Sequence, residues 1–256
     1  MIYGDRGIFF LSAGRAGTET IHTILKSFDG ISSYHEPHPL LFELGSKAYG
    51  GPEIDRDFIL SEIESKRKNI WSTLKINTYI ETSPQVTFVH EYFQYFFDAC
   101  KYVWMIREPI EFINSGLNRE YYKTDLHWDK NRIKPKKDTN YNAIWNGLNQ
   151  SSKILWLWTE TNKYIYDKIS NLPKNTFFTI YSKDIFNNTT KLYELLKFCN
   201  KDAACDTNQV LNILNKKLNK NIRAQYKYKS LSELDINDYI LNDFYTHYDL
   251  FKKYFN

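Results

Sequence analysis

Residues 102–117 pass from strand to helix without a spacer, and no other part of the chain constrains the fold so tightly. Tyr102-Val103-Trp104-Met105-Ile106 is an apolar run of buried-strand length. Arg107 leaves its end, and Pro109 opens a segment whose Ile110, Ile113 and Leu117 share one helical face. Ser115 then lies about two helical turns in. Arg107, as a planar fork, and Ser115, as a hydroxyl donor, can converge there on one small anion. Taken alone, an Arg after a strand is more often a surface or ion-pair residue. A second pattern near the N-terminus changes that balance.

The second pattern begins as an apolar strand at Ile8-Phe9-Phe10-Leu11 and turns through Gly14 and Gly17. It then enters a helix marked by Ile21, Ile24, Leu25 and Phe28. A strand, a glycine-containing loop and a helix N-terminus form a cradle for phosphate. Glycines let the backbone come close, free N–H groups face the ligand, and the helix dipole favours an anion. Arg15 adds a fixed charge, and Thr18 and Thr20 add hydroxyls. The loop lacks the GxxxxGK[ST] sequence, which counts against an ordinary nucleotide triphosphatase. An ordinary strand–turn–helix connection capped by a Thr is the plainer reading of these residues alone.

A third segment, Tyr34-His35-Glu36-Pro37-His38-Pro39, follows a short strand at 31–34. Its prolines stop a helix from starting at once. His35 and Glu36 therefore emerge at a strand end beside the loop, where open α/β sheets bind ligands. Glu81, in Tyr79-Ile80-Glu81-Thr82-Ser83-Pro84, stands at another strand end. There Ser83 and Pro84 also read as a plain helix cap and first turn.

Together these motifs resemble the sulfotransferase superfamily, whose donor is 3′-phosphoadenosine 5′-phosphosulfate (PAPS) and whose nucleotide product is 3′-phosphoadenosine 5′-phosphate (PAP). Gly14-Arg15-Ala16-Gly17-Thr18 matches the Gly-Arg-x-Gly-Thr form of that family's 5′-phosphosulfate loop. Arg107 and Ser115 match its 3′-phosphate pair in identity and spacing, and His-Glu-Pro resembles a set of bacterial members. The resemblance implies cofactor binding by Gly14, Arg15, Ala16, Gly17, Thr18, Glu19, Thr20, Arg107 and Ser115. It implies catalysis by Glu36 or His35 as base, Glu36 slightly favoured and Glu81 next, with Arg15 on the leaving phosphate. Glu19 departs from the Thr or Ser of many relatives and is expected to point away from the anion. No metal is expected, because a sulfuryl group carries less charge than a γ-phosphate. The implied acceptor is a saccharide or small-molecule hydroxyl. Rival readings are a P-loop kinase-like phosphotransferase, which lacks its loop Lys and Mg²⁺-binding hydroxyl here, and a non-catalytic nucleotide- or glycan-binding module.

The 256 residues suit a single α/β domain spanning 1–256, with a helix-rich C-terminal extension from about 189. The expected architecture is a three-layer P-loop-like fold, a central parallel sheet flanked by helices. The coarse order is strand 8–11, helix 18–28, strand 31–34, helix to about 69 and a strand near 70–81. A helix at about 84–99, strand 102–106, helix 109–120 and a long helical region at about 140–170 follow. Strand 176–181 and helices over most of 189–255 complete the chain. With 20 Tyr and 17 Phe, much of the core should be aromatic, the Trp residues included. No stretch has the length and apolarity of a signal peptide or membrane span, so a cytoplasmic location is expected. Cys100, Cys199 and Cys205 are odd in number and lack metal spacing, so they read as reduced and structural. Basic residues gather at 123–137 and 215–229. The first stretch reads as a long loop of the lid or binding type; the second reads as a solvated helix end and loop, or, as the resemblance implies, as a segment that closes over the nucleotide. Asp125 and Asp129 interrupt the first, which ranks nucleic acid below a nucleotide cofactor. His22 reads as a surface residue.

Overall fold

The computed structural model describes residues 2–28, 31–50, 54–74, 78–199, 207–215 and 225–254. In chain order the first half holds β1 (Gly4–Leu11), α1 (Thr18–Leu25), β2 (Ser32–Tyr34), α2 (Phe42–Gly50), α3 (Arg56–Trp71), β3 (Thr78–Glu81), β4 (Phe97–Ile106) and α4 (Pro109–Leu117). The second half holds α5 (His127–Lys130), α6 (Asn140–Ile144), α7 (Gln150–Ile169), β5 (Phe177–Tyr181), α8 (Asp184–Asn187), α9 (Thr189–Cys199), α10 (Thr207–Asn215) and α11 (Asp238–Lys252). The five strands are all parallel and lie in the order β2-β3-β1-β4-β5.

Alternation along β1 sets the layers. Phe9 and Leu11 face a core shared with α3, α4, α7 and α11, while Ile8 and Phe10 face one shared with α1, α8 and α9. The first core is aromatic, as the composition implies. Phe93 stacks on Phe9 at 4.1 Å, and Trp71, Trp104, Trp156 and Trp158 are all buried. Gly7 makes room for this packing, since a Cβ there would lie 2.6 Å from the Phe9 ring and 2.9 Å from Phe97. The expected three-layer α/β architecture is the one observed.

The structure corrects three element assignments. The expected helix at 84–99 is two short 3₁₀ turns, Pro84–Val86 and His90–Tyr95, followed directly by β4. Ser83 does cap the first turn, its Oγ accepting from Gln85 N at 3.2 Å with Pro84 behind it. The aromatic run then packs inward instead of winding on, because Phe97 must pair beside Gly4 as the first residue of β4. Next, among the described residues β3 is Thr78–Glu81, and Ile70 and Trp71, expected in this strand, finish α3. Finally, the helical region at 140–170 breaks at Trp145–Leu148. Asn149 then caps α7 afresh, accepting from Ser152 N at 2.9 Å.

Candidate active site

The loop after β1 is shaped by three residues with positive φ. Gly14 (95°) and Gly17 (92°) sit where glycine is at ease, and Arg15 (58°) is held there as a strained non-glycine residue. The loop is fastened from beneath. Ser12 N donates to Thr87 Oγ1 at 3.1 Å, Thr87 Oγ1 donates to the Ser12 carbonyl at 3.2 Å, and Gly14 N donates to Ser12 Oγ at 3.1 Å. The helix that follows, α1, has Gly17 at its N-cap and no side chain capping it, so its first-turn N–H groups lack a side-chain acceptor. Arg15 Nε is buried without a hydrogen-bond partner. An uncapped helix start and an orphaned guanidinium nitrogen in one loop are the donor set an anion would satisfy. Thr18, Glu19 and Thr20 also line the cavity at this point. Ala16 does not, since its side chain is buried in the core beneath α1.

Arg107 comes to the same place from β4. Its Nη1 donates to the Arg15 carbonyl at 2.8 Å, and its Nε pairs with Glu111 at 3.1 Å. Trp158 Nε1 donates to the Arg107 carbonyl at 2.9 Å and fixes the strand end. Ser115 stands two turns along α4, as expected, but it does not line the cavity. Its hydroxyl accepts instead from Arg119 Nη1 at 3.4 Å, and Arg119 is the side chain that reaches the cavity. Asn114 and Asn118 on the same helix clamp the backbone of residues 225–228 through paired amide bonds of 2.7–3.0 Å. The described end of the basic segment 215–229 is thus tied to α4. Lys216, Lys217, Lys220 and Arg223 lie outside the described residues.

His35 and Glu36 both line the cavity at the end of β2. His35 Nδ1 lies 2.7 Å from the Thr82 carbonyl, which can only accept, so Nδ1 carries a proton, and in the neutral ring Nε2 holds the lone pair. Glu36 is held at φ 44°, another strained non-glycine residue at the cavity wall. His22, expected at the surface, is half-buried. Its Nδ1 bonds Ser33 Oγ at 3.0 Å and its ring stacks 6.1 Å from that of His35. Burial, then the neighbouring His35 and Lys26, push its pKa down to about 4. Glu81 is unavailable as a base. It is fully buried, takes Arg67 Nε and Nη2 at 3.0 and 2.9 Å, and accepts from Tyr79 Oη at 2.5 Å.

These groups enclose one cavity of about 890 Å³. Leu40, Phe42, Phe88, Tyr121, Ile133 and Leu157 bring apolar side chains to its lining. The basic stretch at 123–137 forms part of the rim, with α5 presenting a half-exposed Trp128. Asp129 has a structural role there, accepting from Tyr122 N, Thr124 N and Arg132 Nε at 2.8–2.9 Å. Arg119 and Arg132 were missed in the sequence. Arg119 lies one turn beyond Ser115 on the same helical face, and that spacing is the signal that could have found it. Cys100 and Cys199 are free thiols pushed up to about 12 by burial, which suits structural roles, while Cys205 lies outside the described residues. Among the described residues, no group of three or more His, Cys, Asp or Glu could hold a metal, and no helix is long and apolar enough to cross a membrane.

No protein-family model and no curated protein sequence matches this chain. Solved structures do. The sulfotransferase domain of an olefin synthase from Synechococcus PCC 7002 superposes with a TM-score of 0.55 at 12% identity, over 96% of this chain and 95% of that one. A sulfotransferase from Mycobacterium tuberculosis gives 0.52 at 10% identity, over 95% and 77%. The sulfotransferase domain from the curacin biosynthetic pathway gives 0.50 at 15% identity, over 75% and 73%. The chain therefore has the sulfotransferase fold.

Proposed function

We propose that this protein is a PAPS-dependent sulfotransferase acting on an acceptor hydroxyl. The observation that carries this reading is convergence. Loops after three different strands bring Arg15, Arg107 and the pair His35–Glu36 to one cavity, around an uncapped helix start and an orphaned Arg15 Nε. The residues present fit a nucleotide with an anion at each end. The 12–20 loop, Arg15 and the α1 N-terminus would hold the 5′ side, while Arg107, supported by α4, would hold the 3′-phosphate. When bound, PAPS supplies the sulfuryl group that moves to the acceptor oxygen.

The chain's own part is to bind, orient and move one proton. His35 is the better-placed base, because its Nδ1–H is spent on the Thr82 carbonyl and Nε2 is left to take the acceptor proton. Glu36, the next residue, lines the same cavity and is the alternative base. Arg15 and the first N–H groups of α1 would offset negative charge on the 5′-phosphate as the leaving group. The lining offers apolar side chains (Phe42, Phe88, Tyr121, Leu157) beside polar ones (Ser46, Gln85, Asn131), which suits a small-molecule hydroxyl on a partly hydrocarbon body. The proposed reading is tested with His35→Asn and Glu36→Gln, assayed by sulfuryl transfer from PAPS to a phenol panel, with PAP binding measured alongside. The expected result is normal PAP binding with turnover down by about 10²–10⁴-fold for His35→Asn, and a smaller loss for Glu36→Gln. Full activity in both variants would refute the assignment of the base.

A further inference from the structure

We infer, resting on the sulfotransferase reading above, that Arg119 is a second guanidinium on the anion held by the 12–20 loop, facing Arg15 across it. Four arginines line the cavity: Arg15, Arg107, Arg119 and Arg132. Two are compensated by carboxylates, Arg107 by Glu111 at 3.1 Å and Arg132 by Asp129 at 2.8 Å. Among the described residues neither Arg15 nor Arg119 forms such a pair. Arg15 Nε has no partner, and Arg119 reaches the Ser115 hydroxyl, a neutral group.

The two uncompensated charges also act on each other. The Arg119 pKa is lowered by burial first and by the Arg15 charge next, with Arg107 and Arg132 adding smaller repulsion. Two half-buried guanidiniums that repel are stabilised together by one shared anion. Arg15 stands on the loop that would cradle the 5′ group, which places the shared anion there. Arg107 is partly withdrawn from this pair, since it is committed to the Arg15 carbonyl and to Glu111.

The backbone holds Arg119 in place for this role. The turn after α4 contains Glu120 at φ 54° and Tyr122 at φ 63°. It is fixed by Tyr121 N to the Gly116 carbonyl at 3.0 Å, by Gln150 Nε2 to the Tyr121 carbonyl at 2.8 Å, and by the Arg132 guanidinium 3.2 Å over the Tyr121 ring. Such strained residues persist where surrounding contacts over-determine them. Ser115 then orients Arg119 from one turn below, which gives that hydroxyl a positioning role.

The test is calorimetric binding of AMP and of PAP to the wild type, Arg119→Gln, Arg119→Lys and Arg107→Ala. AMP carries only the 5′ group that the loop would hold. Arg119→Gln should weaken AMP and PAP alike, by roughly ten- to a hundredfold. Arg119→Lys, which keeps the charge and loses the fork, should weaken both by less. Arg107→Ala should weaken PAP selectively. Melting curves that match the wild type would show that each variant is folded. If Arg119→Gln loses PAP and keeps AMP, the residue serves the 3′-phosphate and the inference is wrong. If it binds both as the wild type does, Arg119 holds neither group and the inference is again wrong. If the wild type binds neither nucleotide, the PAPS reading itself fails and the inference falls with it.

Discussion

At the scale of single residues, the two carboxylates first considered as bases end in opposite environments. Glu36 stands at the cavity wall on a strained backbone, while Glu81 is sealed beneath the sheet end in a bidentate pair with Arg67. Arg67 Nη1 also donates to the Pro39 carbonyl at 2.6 Å, so the pair pins the loop that carries His35 and Glu36. Breaking a buried pair leaves one charge uncompensated and typically costs about 3–5 kcal/mol. Glu81→Gln should therefore lower unfolding stability by that order in urea titrations. A loss of activity without loss of stability would mean that Glu81 takes part in chemistry after all. From the sequence, Glu81 and Glu36 looked alike, each an acid at a strand end. What separates them is Arg67, fourteen residues away in the chain and on α3, which no local pattern connects to β3. The contacts of His22 were hidden for the same reason, since its partners Ser33 and His35 lie on and just after β2.

At the scale of elements, the 3₁₀ segments at 84–95 are the support of the phosphate-type loop. Thr87 bonds both the N–H and the carbonyl of Ser12, and His90 Nδ1 bonds the Thr87 carbonyl at 2.7 Å. His90 is buried against the rings of Tyr102 and Tyr164, and Glu91 and Lys168 are the charges nearest it. Burial pulls its pKa from 6.5 down to about 4, against the opposing effect of the Thr87 carbonyl. Between those two pH values the unfolded chain binds a proton that the folded chain refuses. Stability is therefore full above about pH 6.5 and falls as the pH drops toward 4, by about 2–4 kcal/mol from this one group. Asn at position 90 keeps an amide donor without titrating. Urea unfolding of His90→Asn between pH 4 and 7 should show a shallower pH slope than the wild type. An unchanged slope would place the acid sensitivity elsewhere. The sequence misplaced this segment because its apolar residues recur at helical spacing, while the β4 register pulls Phe97 into the sheet. The strand–loop–helix units at 8–25 and 102–117 were legible because each carries its whole signal locally: an apolar run, a glycine or proline, and helical periodicity.

At the scale of the whole molecule, the parallel sheet gathers the ends of β1, β2 and β4 on one edge, and the cavity lies where their loops meet. Gly14, Arg15, Gly17, Arg107, His35 and Glu36, picked out along the chain, are brought together there, while Ala16 and Ser115 stand back from it. Arg119 and the apolar part of the lining were not legible, because they depend on how α4, α7 and the 121–133 turn pack against one another. The central claim is that this cavity reads a 3′-phosphate in addition to a 5′ group. The direct measurement is calorimetric titration of the wild type and Arg107→Ala with PAP, AMP and ATP. The account predicts that the wild type binds PAP at least ~100-fold more tightly than AMP or ATP. Arg107→Ala should lose most of that difference, worth about 2–3 kcal/mol for a charged hydrogen-bond partner. Equal affinity for PAP and AMP in the wild type, or tighter binding of ATP, would contradict it.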